Sequence, residues 1–177
     1  MAKTPERVSE YVRAAVDFVR RAVGMVLDGS DESLAVLDHY VGQVPRDKPA
    51  IVLLVAPAVG AYFGEVVRRR FGGEWQLQGD PPAWRLSLEG GALSFAPVGM
   101  AAAAVCRAEV DGYDAEMALD PAHREDIEAA LERAAPVTEE YFYSLTGRFE
   151  TIHHVLDLLA GLRARSQGPG APDDERN

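Results

Sequence analysis

Apolar residues return at three- and four-residue steps from the start of the chain. Val8, Val12, Ala15, Val19, Val23 and Val26 share one face, while Glu6, Arg13, Asp17, Arg20 and Arg21 fall mostly off it. That pattern predicts an amphipathic helix over residues 5–28. Thr4-Pro5 supplies an N-cap residue followed by proline at the first helical position, and Gly29 supplies the stop. Ser30 or Asp31 then caps a second helix through Val44, burying Leu34, Leu37, Tyr40 or Val41, and Val44. So short a connection predicts an αα-hairpin.

After a break from Pro45 to Pro49 the chain reads IVLLVAPAVGAYFGEVVRRRFGG. Residues 51–56 fit a buried strand with Pro57 opening a helix, or the first part of one long helix capped at Asp47 and bent at Pro57. The start signal at the break and the Gly72-Gly73 stop favour the single helix. The period then becomes alternating. Trp75 and Leu77 alternate with polar neighbours, GDPPA makes a turn, and WRLSLEGGALSF folds back on itself at Gly90-Gly91. That loop sets Leu88 opposite Leu93 and Leu86 opposite Phe95, with Trp84 on the same face. A three-stranded antiparallel meander over about 74–96, packed against helices, is therefore expected.

Pro97 opens a short alanine-rich helix, about 98–106, and residues 108–119 show only a turn signal at Asp111-Gly112. Asp120-Pro121 starts a helix to about Ala134, Pro136 interrupts, and a final helix runs from about Thr138 to Arg163. On it Phe142, Leu145, Phe149, Ile152, Leu156 and Leu159 form a heptad seam. The seam suits the domain's own core or, in its sharper use, a homodimer through helix 138–163. The fold class expected is α+β and mostly helical, a single domain over 1–165. A tail, SQGPGAPDDERN at 166–177, has the composition of disorder.

Charge adds the strongest functional hint. Between Glu109 and Glu140 stand eleven acidic residues against two basic ones, Arg124 and Arg133, a balance of −9 within a total of −10. Such a region repels phosphates and argues against nucleic acid. It suits a basic protein partner or a cation, or it is a solvated face that keeps the protein soluble. Glu125, Asp126, Glu128 and Glu132, on the helix inside it, are the candidate partner contacts. One cysteine, Cys106, allows no internal disulfide. The N-terminus has no apolar h-region, and the longest apolar run, Ala50 to Gly64, is fifteen residues with Pro57 inside. It falls short of the roughly 20 needed to span a bilayer. A cytoplasmic protein without membrane contact is expected.

Catalytic and metal-binding patterns are sparse. Glu150, His153, His154 and Asp157 share the final helix with one Glu-x-x-His spacing, where a bundle di-metal site uses two. No metal or cofactor is expected beyond that weak alternative. No G-x-S-x-G, H-E-x-x-H or Walker pattern occurs, and Cys106 after four alanines and a valine reads as a small hydrophobe. Gly60 and Gly64 each cost a helix interior roughly 1 kcal/mol relative to alanine, so something must approach the backbone there. Glu65 lies in the same apolar segment with Arg68 and Arg69 at i+3 and i+4, and a buried carboxylate there needs donors such as the Trp75 indole.

Gly60-Ala-Tyr62-Phe-Gly64-Glu65, followed by Gly73-Glu-Trp75 and a short meander, resembles a helix-then-sheet pattern of small uncharacterised bacterial domains. The resemblance covers about residues 50–105. It implies a helix for 50–71 and brings no activity with it. The function expected is a non-enzymatic protein-binding or regulatory module in a bacterial cytoplasm, using the acidic region 109–140 or the C-terminal seam. The alternative is a small-ligand binder or hydrolase with Tyr62, Glu65 and Trp75 at the wall of a cleft.

Overall fold

The computed structural model describes residues 3–166, so the expected tail lies outside the described residues except for Ser166. The long apolar segment forms one helix, α3 (Pro49–Phe71), with Pro57 inside it and Pro49 in the first turn, where no N–H is needed. Every residue from Val55 to Arg68 is buried. A helix apolar on all sides must be enclosed by the rest of the fold. By length and composition α3 would reach across a bilayer, but 78% of its apolar window is buried inside the domain, as in a core helix. Gly72 (φ +80°) and Gly73 (φ +120°) end it in backbone conformations that favour glycine.

Two helices supply most of that enclosure, α1 (Glu6–Val23) and α4 (Pro97–Cys106). The close approach foreseen at Gly60 is made by α4. A Cβ on Gly60 would stand 2.5 Å from the Val98 Cα and 2.8 Å from the Pro97 carbonyl oxygen. At Gly64 the neighbour is the Trp75 ring. Helix α1 departs from expectation at both ends. It stops at Gly24 (φ +71°), whose N–H donates to the Arg20 carbonyl, rather than at Gly29. Val26, counted on its apolar face, is 68% exposed. Pro5 occupies the cap position, and Thr4 does not cap the helix because its hydroxyl is bonded to Glu65 instead. α2 (Ser33–Gln43) buries Leu34, Leu37, Tyr40 and Val41.

The sheet has four strands rather than three: β1 (Glu74–Gln76), β2 (Arg85–Leu88), β3 (Leu93–Phe95) and β4 (Met117–Leu119), antiparallel in that order. The register Leu86↔Phe95 and Leu88↔Leu93 is the expected one. Trp84, Leu86, Leu88, Leu93 and Phe95 are buried, and Phe95 packs 6.1 Å from the Phe63 ring on α3. Strand β4 is absent from the expectation because three residues carry no period; pairing with β3, Leu93↔Leu119 and Phe95↔Met117, defines it.

The C-terminal region is α5 (Arg124–Glu132), α6 (Glu139–Tyr143) and α7 (Leu145–Ser166). The single helix expected from Thr138 is broken at Ser144, whose ψ is 149°. Asp38 on α2 causes the restart. Its carboxylate accepts from the Leu145 N–H at 2.7 Å, the Thr146 N–H at 3.0 Å and the Thr146 hydroxyl at 2.6 Å. These are first-turn donors that a continuous helix would satisfy itself. Leu145, Phe149, Ile152 and Leu159 of the seam are buried in the domain's own core, joined by Val155, while Phe142 is half exposed on α6. A Cβ added at Gly161, in the interior of α7, would meet nothing within 4 Å. Gly161→Ala is accordingly expected to stabilise the fold by about 0.5–1 kcal/mol, read as a raised urea midpoint.

Candidate functional site

Two of the three residues expected at a cleft wall, Glu65 and Trp75, are brought together in a closed network, and Tyr62 is held in a separate one. Glu65 is 2% and Arg68 4% exposed. Arg68 donates from Nε to Oε2 at 2.9 Å and from Nη2 to Oε1 at 2.7 Å, a two-pronged pair across one helical turn. The Thr4 hydroxyl donates to Oε1 at 2.5 Å, the Trp75 indole N–H to Oε2 at 3.3 Å, and Arg69 Nε to Oε1 at 3.4 Å. Burial alone would raise the Glu65 pKa; the bonds from Arg68, Thr4 and Trp75 and the Arg68 charge outweigh it and hold the carboxyl below its usual range. Tyr62 is tied equally closely. Its hydroxyl accepts from the Gly29 N–H at 2.8 Å and lies 2.6 Å from the Ser33 hydroxyl. Both Glu65 oxygens are engaged inside the protein, so the group is built as a clamp joining the start of the chain, α3 and β1. It is not arranged as a general base.

The histidine-bearing stretch of α7 lines an open groove of about 530 Å³ with Asp31 and Glu32. The Tyr141 hydroxyl donates to Glu150, which pushes the phenol up to about 12. His153 stacks 5.1 Å from Phe71, with Nε2 3.8 Å from Asp157. Among the described residues no group of three or more His, Cys, Asp or Glu is placed to hold a metal ion. Burial raises the Cys106 thiol pKa, with Arg46 opposing, as suits an unactivated cysteine.

The acidic region forms a groove of about 620 Å³ between the 109–117 segment, α5 and α6. Val110, Met117, Leu119, Leu131 and Phe142 give it an apolar lining. Glu109, Asp111, Glu116 and Glu128 also line it, and each is exposed. Among the described residues none of these four carboxylates has an ion-pair or side-chain hydrogen-bond partner, whereas Asp114 is held by Arg85 at 2.8 Å. The wall is seated by Gly99 of α4, where a Cβ would collide with the Asp114 carbonyl group. Glu125, Asp126 and Glu132 are exposed on α5 and do not line the groove, so of the four helix carboxylates singled out only Glu128 does.

Arg148, which also lines the groove, escapes sequence reasoning, since one arginine within a helical seam carries no signal. Thr4, Ser33 and Asp38 escape it for a related reason: their partners lie 29 to 108 residues away in the chain. Compared with protein-family models, with curated proteins and with solved structures, the chain shows no match.

Proposed function

We propose that this protein is a non-enzymatic protein-binding module whose groove between residues 109–117, α5 and α6 takes a basic amphipathic segment of a partner. One observation carries the reading: four unpaired carboxylates stand around an apolar lining in a concave site. Cations on the incoming segment would meet the carboxylates, and its apolar side chains would cover Val110, Met117 and Leu131. Complementary charge of this kind steers encounter and selects partners more than it adds affinity, while the covered apolar surface supplies affinity. The closed network at Glu65 leaves the groove as the better-supported site.

The test compares two variants that each remove three charges. Asp111→Asn, Glu116→Gln and Glu128→Gln neutralise three of the four unpaired carboxylates at the groove's rim; Glu125→Gln, Asp126→Asn and Glu132→Gln neutralise the outer face of α5. Binding of a short synthetic peptide of alternating lysine and leucine is followed by calorimetry. The rim variant is expected to bind about tenfold more weakly than wild type, equivalent to roughly 1.4 kcal/mol, with the outer variant close to wild type. Equal weakening in both would mean that only the general negative field attracts the peptide, and the groove would have no special role.

A further inference from the structure

Among the described residues Arg148 is the cation that lines the groove, and it is only partly used. Arg148 donates from Nη1 to the Ala115 carbonyl at 3.4 Å, and its Cζ lies 4.6 Å from the centre of the Phe142 ring. Its Nε is shielded from solvent and has no hydrogen-bond partner. Arg68 provides the comparison within the same molecule. There the Nε and Nη2 edge receives both oxygens of a carboxylate, at 2.9 and 2.7 Å. The same edge of Arg148 faces no carboxylate among the described residues, although four unpaired ones line the same groove. Burial pulls the Arg148 pKa below the usual arginine value, with Tyr143 opposing, as expected of a guanidinium short of an anion.

We propose that this edge of Arg148 is a carboxylate-binding subsite of the groove, taking one glutamate, aspartate or terminal carboxylate of the partner's basic segment. The inference rests on the groove reading above. A planar fork of two donors matches a carboxylate better than any single-point acceptor. A free organic acid is disfavoured as occupant, because the surrounding carboxylates repel a lone anion. A segment that brings its own lysines or arginines neutralises them as it enters. Reaching the shielded Nε requires a neighbouring side chain to move aside, and we assign that movement to the half-exposed Phe142, whose ring lies against the guanidinium face.

The test uses two short lysine-leucine peptides that differ only in a central glutamate or glutamine, with the Arg148 Nε–H followed by ¹H–¹⁵N correlation. The glutamate peptide is expected to bind at least about fivefold more tightly, as a charge-assisted two-pronged pair requires, and to move the Arg148 signal when its twin does not. In Arg148→Lys, which keeps the charge and removes the fork, the preference is expected to disappear. Equal binding of the twins with an unmoved Arg148 signal overturns the subsite and leaves the groove reading standing. If neither peptide binds, the groove reading falls and the subsite falls with it.

Discussion

Changing Glu65 to glutamine is expected to destabilise the protein by about 3–5 kcal/mol, the range for removing one partner of a buried ion pair. Arg68, 4% exposed, would keep its charge and lose the anion that accepts from its Nε and Nη2, with a single neutral oxygen in its place. The Thr4 hydroxyl and the Trp75 indole would each lose a charged acceptor as well. Urea unfolding reads the effect as a lowered midpoint at unchanged slope. A double variant, Glu65→Met with Arg68→Met, is expected to lose less than the sum of the two single changes, because no buried charge is left alone. The same carboxylate gives the fold an acid limit. Its folded pKa lies below the unfolded value, so the stability it contributes is fully present above about pH 4.3. That contribution is lost as pH falls through the folded pKa. The gap between wild type and Glu65→Gln is therefore expected to be widest near neutral pH and to narrow in acid.

Gly60→Ala is the second large effect expected, roughly 2–3 kcal/mol of destabilisation despite alanine's better helix propensity. The atoms a new Cβ would meet, the Val98 Cα and N and the Pro97 carbonyl oxygen, are backbone of a buried helix and cannot turn aside. Gly64→Ala faces the edge of the Trp75 ring and Pro97 Cγ, side-chain atoms that can give way, so a smaller loss is expected. Urea midpoints of the two variants, measured side by side, check the order. A Gly64 variant less stable than the Gly60 variant would mean that Trp75, held to Glu65, is the stiffer neighbour.

What could be read from the sequence was what local chemistry encodes. The long helix followed from a proline start, a double-glycine stop and an unbroken apolar run, and the hairpin register followed from alternation about Gly90-Gly91. The two interior glycines announced a close approach before its partner, α4, was known. Events decided by distant residues could not be read. β4 exists because β3 needs an edge partner, and α7 restarts because Asp38 reaches it from α2. Thr4 looked like a cap and is a ligand of the Glu65 carboxylate. The acidic balance over 109–140 was plain, but not that only part of it surrounds an apolar groove. Arg148 could not be singled out at all, since its meaning lies in an unmatched donor edge.

If the groove, and not acidity in general, is the binding surface, a bound peptide must perturb the groove itself. Backbone amide shift mapping of the labelled protein with the lysine-leucine peptide that carries the central glutamate tests it most directly. Shifts are expected to be confined to residues 109–117, Glu128, Leu131, Phe142 and Tyr143, with Glu125, Asp126 and Glu132 little changed. Shifts centred on the outer face of α5, or spread along the acidic surface with the groove unmoved, would contradict it.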